Sequence, residues 1–189
     1  MGFWDAMRGR TRPKQAELDA LFMVPSAAIT LETAAGLVPT GEGAVCFRAA
    51  EGAAFSRTQA DVVTLLDADG GRPVRSTVDR FGFTWLVTHD DDITQLCTEL
   101  HAVNTALEAE GFGPSLLCSL VPFADPLDPD RRVGLVYLYK RGTFYPFAPR
   151  GEERRDNLLE IQVRDQLSGE LPIEADLQRW LAVWGAPGL

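Results

Sequence analysis

Cys97 and His101 stand four residues apart, the spacing that puts two side chains on one side of a helix, and Cys118 follows on the next element. Thiolate and imidazole are ligand types that zinc takes, so these three residues are the natural candidate for a metal site. A closed structural site needs four ligands, and no fourth lies near them in the sequence. Unpaired cysteine is also among the most buried residue types, and Cys97 and Cys118 both fall on apolar phases of their segments. The expectation is therefore core packing, with no metal and no cofactor.

Other chemistry is thinly supplied. A cysteine nucleophile needs a neighbouring base to hold its thiolate, and the chain has two histidines, His89 and His101, neither within a nucleophile signature. His89 opens the run Asp90, Asp91 and Asp92, in which the acids are well placed to cap a helix rather than to trade protons. The two lysines, Lys14 and Lys140, do not follow a glycine-rich phosphate loop. These patterns do not predict an enzyme.

The elements that would position any site belong to one chain of 189 residues with 46% hydrophobic and 24% charged residues. A chain of that length buries roughly 70% of its unfolded surface and needs neither disulfides nor metal to fold. Its net charge of −9 argues against nucleic acid as a partner. The charge is uneven: residues 1–14 set Arg8, Arg10, Arg12 and Lys14 against Asp5, a local +3 that leaves −12 for the rest. Phe3, Trp4 and Met7 stand at helical spacing among those cations, the pattern either of an interfacial anchor or of a short segment covering exposed core. The odd cysteine count, without CxxC spacing or a secretory signal, points to a reducing cytoplasm. Pro25 and Ser26, and Ser119 and Pro122, cut the longest apolar runs below a bilayer span. The expected organisation is a basic amphipathic segment over 1–14 and a single domain over 15–189. Its expected location is the cytoplasm, including peripheral contact with the inner face of the plasma membrane if the segment anchors.

Periodicity supplies the elements. Residues 15–36 read as a helix pair broken or restarted at Pro25 and stopped at Gly36. Val45, Phe47 and Ala49 alternate as a strand, and residues 54–67 read as a helix. Phe81, Phe83, Trp85 and Val87 alternate as a strand with one heavily buried face, and Asp92 leads into a helix carrying Leu96, Leu100, Val103 and Leu107. Two strands follow, one through Leu116, Cys118 and Leu120, the other through Val133, Leu135, Tyr137 and Tyr139, joined by a wide loop. A helix over 152–167 and a short one around Leu177, Trp180 and Leu181 close the chain. This order predicts an α+β fold with an antiparallel sheet of about five strands and helices mainly on one face. Phe81, Trp85, Leu100, Leu116, Val133 and Leu135 are the expected core.

The segment Thr143-Phe-Tyr-Pro-Phe-Ala-Pro149 departs from this pattern because Pro146 and Pro149 cannot donate ladder hydrogen bonds, which confines it to a sheet edge. Two readings are open. The aromatics either fold over the body as a satellite core, or Phe144, Tyr145 and Phe147 with Arg141 form a docking surface of hot-spot composition.

Several blocks together carry a resemblance: Met-Gly-Phe-Trp-Asp at 1–5, Leu-Asp-Ala-Leu-Phe at 18–22, Cys-Phe-Arg-Ala-Ala-Glu-Gly at 46–52, Phe-Gly-Phe-Thr-Trp-Leu-Val at 81–87 and Tyr-Lys-Arg-Gly-Thr-Phe-Tyr-Pro-Phe-Ala-Pro at 139–149. With them the chain resembles, end to end, the PspA-associated PspAB family of actinobacteria and archaea. That resemblance implies an accessory role in the phage-shock response to envelope stress, as a non-enzymatic adaptor binding PspA, an HtpX-type membrane protease, or both. It transfers no catalytic residue. The element order is also similar to YbjN and type III secretion chaperone domains, which implies as an alternative a chaperone-like, peptide-binding module that uses a sheet edge.

Overall fold

The computed structural model describes residues 17–48, 60, 63–64, 73–151 and 153–189. A 3₁₀ segment, Leu18–Met23, runs directly into α1 (Val24–Ala35). Proline needs no amide hydrogen bond in a first helical turn, so Pro25 starts α1 rather than cutting the helix. Leu18–Ala35 is consequently long and apolar enough, by length and composition, to cross a membrane. Here it lays Leu18, Leu21, Val24, Ala27, Ala28 and Leu31 against the core. Gly36 ends it in the left-handed conformation, φ 67°, with its amide donating to the Glu32 carbonyl at 3.0 Å.

The chain continues through β1 (Val38–Pro39), β2 (Glu42–Arg48), β3 (Arg75–Val78), β4 (Phe83–His89), α2 (Ile93–Ala109), β5 (Leu116–Asp125), β6 (Asp128–Leu138), β7 (Thr143–Phe147) and α3 (Asn157–Leu167). All strands pair antiparallel in one open sheet of order β3-β4-β2-β5-β6-β7, with β1 also on β5. The fold is α+β as expected, and its seven strands exceed the five read from periodicity. The two-residue β1 is too brief to show a period.

Aspartates start both later helices. Asp92 accepts from the Thr94 amide at 2.7 Å to open α2, and Asp156 accepts from the Leu159 amide at 3.0 Å, so α3 begins at Asn157 rather than at 152. All three helices described pack on one face, over Val45, Phe47, Leu86, Val121, Phe123, Val133, Leu135 and Tyr137. The alternate residues Ala44, Cys46, Trp85, Val87, Cys118, Leu120, Val136, Tyr145 and Phe147 form a second core on the opposite face. No helix covers that face among the described residues. The C-terminal segment does, with Trp180 and Ala186 buried and Val183, Trp184 and Leu189 packed beside them.

Some local readings need correction. Phe81 is 54% exposed because it sits in the turn before β4, not in the strand. The β5–β6 connection is tight rather than wide: Asp125 pairs with Asp128 and its carboxylate takes the Leu127 amide at 2.9 Å. The last short helix is a single 3₁₀ turn, Leu177–Arg179, in which Leu177 and the following Leu181 are exposed and Trp180 is buried. Most of the helix expected over 54–67, Phe55, Val62, Leu65 and Leu66 included, lies outside the described residues.

Candidate docking cleft

β7 is an end strand of the sheet, as its prolines require, yet its outer edge is not open. The Phe144 amide donates to the Pro172 carbonyl and the Glu174 amide to the Phe144 carbonyl, both at 2.8 Å, so residues 172–174 add a short parallel bridge to it. The segment 170–189 then crosses the second face as a strap. Trp180 stacks on Tyr145 at 6.1 Å between ring centres, and the Tyr145 hydroxyl donates to the Leu181 carbonyl at 2.9 Å. Trp180 Nε1 donates to the Glu174 carbonyl at 2.9 Å and Arg155 Nη1 to the Trp180 carbonyl at 2.5 Å.

Two buried carboxylates lock this arrangement. Glu174 accepts from Arg141 Nε at 2.6 Å, from Thr143 Oγ1 at 3.0 Å and from the Asp176 amide at 3.1 Å. Burial alone would raise its pKa, but the Asp176 amide, Arg141 and Thr143 outweigh it and hold the carboxyl below its ordinary value. Glu160 on α3 accepts from the Ala148 amide at 2.9 Å and from Arg155 Nε at 2.8 Å.

These contacts decide the reading of the aromatic segment. Phe144, Tyr145 and Phe147 are at most 1% exposed, so their rings belong to the two cores and cannot themselves form a partner surface. Arg141 keeps 45% of its side chain exposed, and its guanidinium is engaged by Glu174. Phe3, Trp4, Met7, Arg8 and Arg10 lie outside the described residues.

Beside the strap lies a cleft of about 840 Å³, walled by the β3–β4 turn, the start of β6, the β7–α3 connection and residues 183–189. Phe147 is at its floor, with Trp184 edge-on at 4.9 Å and the Arg155 guanidinium over the Phe147 ring at 5.1 Å. Arg80 reaches from the turn to pair with Glu153, and its guanidinium covers the exposed Phe81 ring at 4.8 Å. The turn is held rigid by Asp79, which accepts from the amides of Phe81 at 2.9 Å and Phe83 at 3.0 Å and from Trp85 Nε1 at 3.0 Å. Arg132 donates to the carbonyls of Pro129 at 2.8 Å and Gly188 at 3.4 Å. A second hollow of about 410 Å³ shares Asp130, Arg132, Pro149 and Gly151 with the first and extends to Arg150 and Asp156. Cations and carboxylates balance around both, so the cleft suits an apolar side chain framed by polar contacts rather than a bare anion.

The cleft includes none of the residues considered for catalysis. His89 contacts Asp91 at 3.3 Å, and His101 contacts Asp19 at 3.5 Å and stacks on Phe22 at 5.0 Å. Cys97 packs on the helix side of the sheet and Cys118 on the other, so the sheet separates the candidate ligands. Among the described residues no group of three or more His, Cys, Asp or Glu is placed to hold a metal ion. Sequence reasoning missed Trp184, Arg80, Arg132 and Glu174, because residues 170–189 have no period and Arg80 stands in a turn. The tryptophans at 180 and 184, in a stretch otherwise read as short helix and tail, were the available signal.

No curated protein and no solved structure matches the chain. A family model described as PspA associated protein B matches residues 1–188, and on that match over essentially the whole chain the protein belongs to the PspA associated protein B family.

Proposed function

We propose that this protein is a non-enzymatic cytoplasmic adaptor of the PspA envelope-stress response, which captures PspA, an HtpX-type membrane protease, or both in its cleft. Family membership supports a PspA-related accessory role. The observation that carries the choice of surface is the partly exposed Trp184 packed edge-to-face with Phe147 in a cleft that Arg80 and Arg132 also line. Tryptophan and arginine over a preformed apolar floor supply most of the energy in typical hot spots. The basic N-terminal segment would hold the adaptor near the inner face of the membrane. The alternative is a chaperone-like peptide-binding module that uses a sheet edge; at β7 it is disfavoured because residues 172–174 already occupy that edge, which leaves the other end strand, β3, for it.

The test is co-purification of the full chain with PspA and, separately, with the protease. Replacing Trp184 and Arg132 by Ala should weaken capture by at least about tenfold, equivalent to ~1.4 kcal/mol. The variants should lose some stability, since Trp184 packs on the second core and Arg132 ties the Gly188 carbonyl, but should still unfold in one cooperative transition well above the assay temperature. Undiminished capture of both partners by the doubly substituted protein would refute the cleft as the docking site.

A further inference from the structure

Cys46 on β2 and Cys118 on β5 are direct partners in the antiparallel register, and both are free thiols. Opposed residues in such a pair share one face of the sheet, with Cα atoms about 4.5–5.5 Å apart. A disulfide accepts Cα separations of about 4.4–6.8 Å but wants Cβ atoms about 3.5–4.5 Å apart, so the pair fits at Cα and closes with an approach of about 1 Å at Cβ. The register shifts between Cys46 and Phe47, and a bulge beside the pair gives β5 local freedom to adjust. Both thiols lie in the second core with Tyr145 and Trp180, under the strap. Cys97 is on the opposite side of the sheet and cannot reach them.

We propose that Cys46 and Cys118 form a reversible disulfide, a redox modification site linking β2 to β5 beneath the C-terminal strap. Cys118 is the entry thiol, being 7% exposed against 3% for Cys46. Its sulfur attacks the O–O bond of a peroxide, becoming a sulfenic acid as the peroxide leaves as alcohol or water. The Cys46 sulfur then displaces the sulfenic oxygen, which departs as water with the Cys46 proton. Together the two thiols give up two electrons and two protons, and a dithiol reductant reverses the change. The sulfhydryl contact with Cys118, and then burial, raise the Cys46 pKa, so the link rests on the juxtaposition of the two sulfurs rather than on an activated thiolate. Cys97, wholly buried on the helix side of the sheet with no second thiol beside it among the described residues, is the internal control.

The experiment uses the full-length reduced protein. It is exposed to hydrogen peroxide, quenched, alkylated and digested without reductant, with diamide as a second oxidant. The expected result is loss of two of the three thiols, a mass lower by two hydrogen atoms, a peptide joining Cys46 to Cys118, and an alkylated Cys97. Dithiothreitol should restore all three thiols. Tyr145→Phe keeps the ring but releases the strap carbonyl of Leu181, so it serves as a more open form of the same site. A Cys46–Cys118 link in either protein supports the proposal. Three alkylated cysteines in both proteins, or a link that uses Cys97 or joins two chains, overturns it. The readout is covalent and independent of PspA, so it stands apart from the docking proposal.

Discussion

Glu174 is where the strap is fastened, and its removal gives a magnitude that the structure sets. The side chain is 4% exposed and accepts from Arg141, Thr143, Arg179 and the Asp176 amide at 2.6, 3.0, 3.4 and 3.1 Å. Breaking a wholly buried ion pair costs about 3–5 kcal/mol because a charge is stranded. Arg141 and Arg179 are each 45% exposed and regain water, so Glu174→Ala should cost the lesser figure for hydrogen bonds to a charged group, about 1.5–3 kcal/mol. For a chain of this size that is a fall in thermal midpoint of about 3–12 °C. Since the native pKa of Glu174 lies below its ordinary 4.5, the native state holds fewer protons than the unfolded one through that range. Its stabilisation is therefore complete above pH 4.5 and is lost as pH falls through the depressed value. Thermal and urea unfolding of wild type, Glu174→Ala and Glu174→Gln from neutral pH into acid measures this directly. A neutral-pH change below about 0.5 kcal/mol, or a difference that persists unchanged into acid, would refute the clasp.

Leu100, fully buried between α2 and the sheet, should cost about 2–5 kcal/mol when replaced by Ala, read as a lower urea midpoint. Gly134→Ala would place a Cβ 2.5 Å from Leu120 Cδ1 and 2.9 Å from Leu189 Cδ1, so stability should fall by about 1–3 kcal/mol, checked by calorimetry. A protein lacking residues 1–14 should float less with anionic vesicles at low salt than the full chain, at ~1 kcal/mol per basic side chain lost, and salt should erase the difference. Equal flotation would remove the anchor.

Most of the helix-side architecture was legible because its signals are local and periodic. Leu100, Leu116, Val133 and Leu135 occupy the helix-side core and Trp85 the second core, while the aspartate before α2 starts that helix and the glycine after α1 ends it as their chemistry requires. Phe81 failed because alternation continues across the start of β4 while Asp79 draws the preceding backbone into a capped turn. Strand number failed for a related reason, since a two-residue strand such as β1 exists only through its pairing with β5.

The aromatic segment marks where a chain's own chemistry stops discriminating. Phenylalanine, tyrosine and arginine beside proline describe a hot spot and a packed edge equally well, because both bury rings and both keep an edge from self-pairing. What separates them is whether another part of the chain arrives first. Here residues 172–174 cap β7 and Trp180 covers Tyr145, from about thirty positions downstream and from a stretch without periodicity. Burial of Tyr145 and Phe147 thus moves the accessible aromatic surface outward by one layer, to Trp184 of the strap and Phe81 of the β3–β4 turn. A partner docked in the proposed cleft would meet side chains presented by a turn and a terminal segment, so Glu174→Ala, which loosens the strap, should weaken its capture as well as lower stability.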